Sequence, residues 1–422
     1  EMSTTPSGQI KPCCHFLGSL EHENGSPVSI FSGDTFESVW NSDAMISVRK
    51  GLHQGNIPQG CRRCVRDGDV SMRKRSIKDY KDDREVLQLV KNTIENDYRA
   101  DHSLIMLELK PSNLCNLKCM ICNAYDSSQI AKEIREISEK YSGVEIQGGR
   151  IVDIVPEKLG IIERDLALNN INIDNVEWAD NDQIWRDFEK LAPHLRILSF
   201  AGGEPTLMPS VLKVLNYCVE NDFAKNIKVH IASNFTNLNR NFFDLMPKFK
   251  YFEIIASIDG FGSVQEYVRF PSNWNSVSKN YMIAKEYMKF PNVRITINIT
   301  VHLLNVLNLV DLLNWIEERA LEYPYYRVWP YNINVLISPD NQTVNLLPEK
   351  FKSVAIERLE TYMKSSRILK EFPGLDSKIK FLISEIKKSG NIGKLESFKK
   401  RLYILDRHRK ISFRDFISEL DL

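Results

Sequence analysis

Apolar residues along this chain follow two periods. Short runs rich in β-branched and aromatic side chains read as strands at 103–110 (SLIMLELK), 195–200 (LRILSF), 227–233 (IKVHIAS), 251–257 (YFEIIAS), 293–301 (VRITINITV) and 326–337 (YRVWPYNINVLI). Between them the spacing changes to three and four residues, the period of helices. In VDLLNWIEERAL, Val310, Leu313 and Ile316 share a face with Ala320. A further helix is predicted at 83–97, with Val86, Leu87, Leu89 and Val90 on one side. Beyond residue 345 the pattern is helical, and Phe351, Val354, Leu359 and Tyr362 keep its spacing.

Six strands separated by helices predict an α/β fold, a parallel set with right-handed crossovers that curls into a partial (β/α)6, TIM-like barrel over about 100–340. Residues 1–75 read as irregular and carry four cysteines, within an expected N-terminal module over 1–80. Residues 141–180 read as an insertion with short strands of its own, and 345–422 as a C-terminal helical tail. Chemistry in parallel α/β folds gathers at the C-terminal ends of the strands.

Composition narrows the class. The 422 residues suit a large barrel or two domains. Lys and Arg total 56 against 55 Asp and Glu, so no global field directs the chain to nucleic acid or a membrane. No apolar run is long enough for a bilayer and no signal peptide opens the chain, so the expected location is cytoplasmic, with no membrane partner. The first residue is Glu1 rather than Met, which puts the expected start upstream.

The eight cysteines are Cys13, Cys14, Cys61, Cys64, Cys115, Cys119, Cys122 and Cys218. Seven fall in the first third in tight groups, the pattern of metal ligands in a reducing compartment rather than of a disulfide framework. The run CNLKCMIC places Cys115, Cys119 and Cys122 just past the first barrel strand. Zinc uses such ligands, and so does an iron–sulfur cluster. Three thiolates on a four-iron cluster leave one iron open, and an open position is where a substrate or cofactor binds.

A CxxxCxxC loop after the first strand of such a barrel resembles the radical S-adenosylmethionine superfamily. The resemblance implies that Cys115, Cys119 and Cys122 hold a [4Fe–4S] cluster whose open iron chelates S-adenosylmethionine. One electron then cleaves the sulfonium bond, and a 5′-deoxyadenosyl radical abstracts hydrogen from a substrate. Ile121 stands where the family usually carries an aromatic residue.

Further motifs follow in strand order. Gly202, Gly203, Glu204 and Pro205 end the second strand, matching the family's GGEP, which binds the cosubstrate ammonium. Glycines admit close approach and a carboxylate accepts from an ammonium group, although the same residues would make a plain turn. Ser233 and Asn234 close the third strand, where they would meet a ribose or cap a helix. Ser257 and Asp259 end the fourth strand and Arg269 follows, matching an SxDG…R pattern in which Ser and Arg hold the cosubstrate carboxylate. Asn298 and Val301 on the fifth strand match positions that line the adenine.

Gly8 and Cys13 spell GxxxxC, and Cys61 and Cys64 spell CxxC. A structural zinc site is one reading. Together with SVWNSDAMISVRKGLHQGNIPQGCRRC and DGDVSMR, these residues resemble a Twitch (half-SPASM) module, which implies an auxiliary [4Fe–4S] cluster on Cys13, Cys61 and Cys64. Here the module precedes the barrel instead of following it. Its fourth ligand stays open between a cysteine upstream of Gly8, Cys14, and an open iron.

Other residues read more plainly. Cys218 is expected as a core thiol, with a hydrogen-donor role as the sharper reading, and His302 as a hydrogen-bonded surface histidine, with a place facing the cavity as the sharper reading. Trp329, Tyr331 and Asn332 lie on the last strand, and aromatic strand residues are more often core. The Lys- and Arg-rich tail over 361–414 reads as a solvated face, or as a surface for a nucleotide, sugar phosphate or DNA; nucleic acid is not favoured, since no nucleic-acid motif accompanies it. The expected activity is that of a radical oxidoreductase or transformase acting on a small or carbohydrate-like substrate, supplied by a flavodoxin- or ferredoxin-type electron donor. A ribosomal-peptide maturase, a nucleotide modifier, a non-catalytic metal-binding adaptor and a zinc-dependent nucleic-acid binder are the alternatives. No catalytic side chain is assigned.

Overall fold

The computed structural model describes residues 1–66, 80–141, 144–147, 149–154, 162–163, 178, 181–237, 239–321, 329–337, 340–372 and 374–422. The DGDVSMR segment, most of 155–180 and the start of the expected strand at 326 lie outside the described residues. In chain order the strands are β1 (Met2–Thr4), β2 (Ile10–Lys11), β3 (Met106–Leu109), β4 (Val144–Gln147), β5 (Arg150–Ile154), β6 (Ile162–Glu163), β7 (Ile197–Phe200), β8 (Lys228–Ser233), β9 (Tyr251–Ser257), β10 (Val293–Val301) and β11 (Tyr331–Val335). The chain divides into two compact units.

The first unit comprises Glu1–Asn113, Asn175–Ile231 and Lys248–Tyr251. Here β3 runs parallel to β7 with Leu107 opposite Leu198, and β7 parallel to β8 with Leu198 opposite Val229. On the other side of β3 lies β1, parallel to it, and then β2, antiparallel to β1. Met2, Leu107, Leu198 and Val229 are fully buried, so this cross-strand row is the centre of the core. Helix Asp182–Leu191 is started by Asn181, whose side chain accepts from the backbone of Gln183 and Ile184. Its buried Asp187 accepts from the backbone N–H groups of Phe36 and Glu37, which open helix Phe36–Trp40. Helix Arg84–Glu95 buries Val86 and Thr93, while Leu87 and Val90 are 48% and 51% exposed, so the predicted apolar side is split. Cys218 is fully buried in helix Pro209–Glu220, and burial pushes its thiol up to about 12.

The second unit comprises Leu114–Asp174, Ala232–Pro247 and Phe252–Leu422. Within it β9, β10 and β11 run parallel, with Asn298 opposite both Ser257 and Asn332. β10 alternates strictly: Val293, Ile295, Ile297, Ile299 and Val301 are buried, and Arg294, Thr296, Asn298 and Thr300 are half-buried. One strand face is therefore apolar core and the other polar. A small sheet of β5, β4 and β6 carries a bulge between Glu145 and Ile146. In helix Glu349–Ser365 the buried face is Lys352, Ala355, Leu359 and Tyr362, whereas Val354, expected on that stripe, is 39% exposed.

Most cations of the basic tail are exposed, as expected, but helix Ile392–Arg409 buries two of them, Arg401 and the side chain of Arg409. Its buried stripe is Phe398, Arg401, Leu402, Ile404 and Leu405, with a cation among the apolar positions. Arg409 at its end forms a fork with Glu133 of helix Ser128–Lys140, Nε to Oε1 at 2.8 Å and an Nη to Oε2 at 2.7 Å, both side chains 3% exposed. Among the described residues no helix is long and apolar enough to cross a membrane. Removing one partner of a buried fork leaves an uncompensated charge. Glu133→Ala is expected to destabilise the fold by about 3–5 kcal/mol. The Glu133→Gln, Arg409→Met double variant is expected to cost less, and denaturant midpoints measure both.

Candidate functional site

In the second unit the cysteine loop is held almost entirely through its backbone. The N–H groups of Lys118 and Met120 donate to the carbonyls of Phe270 and Val268, at 2.6 and 2.8 Å. Ala124 donates to the Gly149 carbonyl at 2.9 Å. Ser127 and Ser128 open helix Ser128–Lys140 and tie it back to the loop. The Ser127 hydroxyl donates to the Leu117 carbonyl at 2.8 Å, and the Cys115 N–H donates to the Ser128 hydroxyl at 3.3 Å. The loop thus presents Cys115, Cys119 and Cys122 from a frame that their side chains do not build.

Arg269 is the charged residue beside them. Its Nε donates to Asp259 Oδ2 at 2.7 Å and an Nη lies 3.8 Å from Cys119 Sγ. Burial alone would lower the guanidinium, but Asp259 outweighs it and holds Arg269 above its ordinary value. Asp259, 1% exposed, is itself fixed on all sides. The Thr300 N–H donates to its Oδ1 at 2.7 Å, its own N–H donates to Gln265 Oε1 at 2.9 Å, and its carbonyl accepts from Asn305 at 2.7 Å. Asp259, placed by the sequence among the cosubstrate ligands, makes an ion pair with Arg269 here.

The remaining motif residues lie on or beside β8, β9, β10 and β11. Ser233 is buried and its hydroxyl accepts from Phe235 N–H at 3.2 Å. Asn234 caps Thr236 and donates to Asn116 Oδ1 at 2.9 Å, and Asn116 donates to the Thr236 hydroxyl at 2.8 Å. Asn116 directly follows Cys115, so this amide ladder pins the start of the cysteine loop. Ser257 ends β9 half-buried, and Val301 ends β10 fully buried. Asn298 Oδ1 accepts from the amides of Asn332 and Asn334 at 3.0 and 2.7 Å. Tyr331 is buried, its hydroxyl 3.3 Å from that of Tyr362, and Trp329 is exposed. His302, expected on the surface, is 1% exposed because it follows β10 into the core.

In the first unit, Gly202 and Gly203 adopt φ of +75° and +55°, and a Cβ on Gly202 would come within 3.1 Å of the Lys110 side chain. They turn the chain so that Glu204, 1% exposed, accepts from the Thr206 hydroxyl at 2.6 Å and its N–H at 3.2 Å. Gly8 has φ of +75°, and a Cβ there would meet the Phe31 ring at 2.8 Å. Cys13, Cys14, Cys61 and Cys64 are all half-buried. Burial foremost, with Glu1 and then Cys61 and Cys64 nearby, pushes the Cys13 thiol up to about 12. Cys14 is also raised, first by burial and then by Glu108, to which it is hydrogen-bonded.

Three guanidinium groups were missed by the sequence reading. Arg150 donates to the carbonyls of Cys122 and Ile121 at 3.1 and 3.3 Å, Arg401 to that of Met120 at 2.9 Å, and Arg409 to that of Lys118 at 3.1 Å. The signal was present in part: Arg401 shares the helical stripe of Phe398, Leu402 and Leu405.

The donor set fits an iron–sulfur cluster. Three thiols sit on one short loop, the Leu117 N–H points at Cys115 Sγ at 3.4 Å, and Arg269 points at Cys119. Burial raises the Cys119 and Cys122 thiols above their ordinary value, and metal binding would replace those protons. Among the described residues no three His, Cys, Asp or Glu side chains converge on a point for one ion. Cluster thiolates bind different irons and need no such point.

A family model described as Radical SAM superfamily matches residues 109–316. No curated protein matches the chain. Among solved structures, Streptococcus suis SuiB bound to S-adenosylmethionine aligns at 13% identity and a TM-score of 0.35, over 78% of this chain and 64% of that one. Native anSMEcpe with bound AdoMet aligns at 18% identity and a TM-score of 0.36, over 62% and 61%. TYW1 with a lysine-pyruvate adduct aligns at 13% and 0.28, over 61% and 72%. This chain thus spans 64% and 61% of the first two relatives.

His302 supplies a pH test. Burial, opposed by Asp259 and assisted by Arg269 and Arg401, lowers it from 6.5 to about 4. The unfolded chain therefore binds the extra proton first. The stability held by neutral His302 is complete above about 6.5 and is lost as pH falls toward about 4. The loss is about 3 kcal/mol. His302→Gln is expected to flatten this part of the acid limb, read from unfolding midpoints of the metal-free protein between those pH values.

Proposed function

We propose that this protein, whose residues 109–316 match the model of the radical SAM superfamily, reductively cleaves S-adenosylmethionine and uses the 5′-deoxyadenosyl radical to abstract hydrogen from a small or carbohydrate-like substrate. The outcome is an oxidation, an epimerisation or a bond formation. The observation that carries the reading is the Asp259–Arg269 pair held against Cys119.

Cys115, Cys119 and Cys122 would hold the [4Fe–4S] cluster, which when bound supplies one electron and an open coordination position. Arg269 keeps guanidinium donors beyond its contacts with Asp259 and Cys119, and these suit the cosubstrate carboxylate. Ser257 joins Arg269 in this reading, Ser233 and Asn234 serve the ribose, and Val301 the adenine. Gly202, Gly203 and Glu204 enter through the family motif. Cys13, Cys61 and Cys64 take an auxiliary [4Fe–4S] cluster, and a flavodoxin- or ferredoxin-type protein delivers the electron.

The substrate class is supported by the polar face of β9, β10 and β11. Glu253 accepts from Thr296 at 2.9 Å there, and Asn298, Asn332 and Asn334 form a linked amide group. Carboxylate, hydroxyl and amide groups on one face suit a substrate rich in hydroxyls. A modified ribosomal peptide ranks second.

Anaerobically reconstituted protein with dithionite and S-adenosylmethionine is expected to form 5′-deoxyadenosine, and a Cys119→Ala variant to form none. Asp259→Asn releases Arg269 and is expected to weaken S-adenosylmethionine binding roughly 10- to 100-fold, the cost of a charge-assisted hydrogen bond. Cluster-loaded wild type that makes no 5′-deoxyadenosine would overturn this reading in favour of a metal-binding adaptor.

A further inference from the structure

Arg401 is an anomaly of charge. It is 6% exposed, on the apolar stripe of helix Ile392–Arg409. One Nη donates to the Met120 carbonyl at 2.9 Å, and its Nε is buried with no hydrogen-bond partner. Arg269 has Asp259, and Arg409 has Glu133. Arg401 has no carboxylate at ion-pair distance among the described residues. Burial foremost, then Arg150 and Arg409, outweigh the opposing effect of Glu133, which is already paired with Arg409, and the Arg401 guanidinium falls to about 9. A buried cation beside two more cations costs several kcal/mol unless an anion answers it.

The carbonyls that these arginines hold belong to Lys118, Met120, Ile121 and Cys122, all in the cysteine loop. A four-iron core carrying two positive charges on three thiolates has a net charge of about minus one, and one more negative charge once reduced. A fixed cation therefore favours the reduced form over the oxidised form, and low dielectric amplifies the difference. Cluster potentials respond to net charge and surrounding dipoles in this way.

We propose that Arg401, seconded by Arg150, is the built-in counter-charge of the cluster on Cys115, Cys119 and Cys122, raising its reduction potential so that a one-electron donor can reduce it. The assignment rests on the reading that these cysteines hold a [4Fe–4S] cluster. The step is the uptake of one electron from a low-potential donor, with no bond made or broken and no proton moved. Arg401 is a positioning and tuning residue, reaching the cluster through the loop.

The test is a dithionite titration of the reconstituted full chain, followed by electron paramagnetic resonance, beside iron and sulfide analysis. The Cys119→Ala spectrum identifies the signal that belongs to this cluster. Arg401→Gln is expected to keep its iron and to lower the midpoint by at least 59 mV, a tenfold drop in the reduced-to-oxidised ratio for one electron. Arg401→Lys, which keeps the charge, is expected to stay near the wild-type midpoint. An unchanged midpoint in iron-loaded Arg401→Gln would overturn the proposal, as would an equal shift in Arg401→Lys, which would assign the effect to the hydrogen bond. If Arg401→Gln cannot retain iron, Arg150→Gln takes its place, with the same lowering expected and an unchanged midpoint overturning the proposal. Wild type whose iron content and signal are unaffected by Cys119→Ala would instead refute the underlying cluster reading.

Discussion

The buried ion pair between Asp259 and Arg269 is the constraint on which the candidate site depends. A guanidinium that touches a cysteine sulfur in a desolvated loop keeps its charge and direction only with a partner, and Asp259 provides both. The partner is fixed in turn by Thr300 near the end of β10, Asn305 just past it, and Gln265 of helix Ser263–Val268 after β9. The pair therefore converts the rigidity of β9 and β10 into the position of one charged group. Such groups are useful in a dry site because they need little reorganisation when charge develops near them.

The same economy governs the cysteine loop. Its thiols are kept for chemistry, and its shape is set by main-chain carbonyls and N–H groups that distant side chains satisfy. Asn116 and Asn234 fix its entry, Ser127 and Ser128 couple it to the helix that follows, and arginines close its far side. A buried loop must satisfy every backbone polar group, and guanidinium forks do this for several carbonyls at once.

Much of this was legible in the sequence, and the boundary of legibility is physical. β10 was read because nine residues alternate without a break, and its limits in the structure are the predicted ones. The motif cysteines follow β3, Gly202 to Glu204 follow β7, and Arg269 closes the short helix Ser263–Val268 after β9. Two cations of the otherwise solvated tail escaped the reading because composition counts charges without saying which way they face: Arg401 and Arg409 look like solvated residues until their helical stripe is compared with Phe398, Leu402 and Leu405. His302 failed for a similar reason, since a polar residue after a strand continues into the core only when a neighbour such as Asn305 accepts its backbone N–H. Val354 lay one position off the true buried stripe, within the error of a pattern that tolerates several faces.

The braces of the cysteine loop also have a place in time. Arg401 and Arg409 follow the carbonyls they hold by 281 and 291 residues. At ribosomal rates of about 5–20 residues per second, the loop emerges roughly 15–60 s before its last supports exist. Its thiols leave the exit tunnel unbraced, open to any metal donor or oxidant in the surroundings, and the locked form of the loop is available only after Arg401 and Arg409 have been made and folded back.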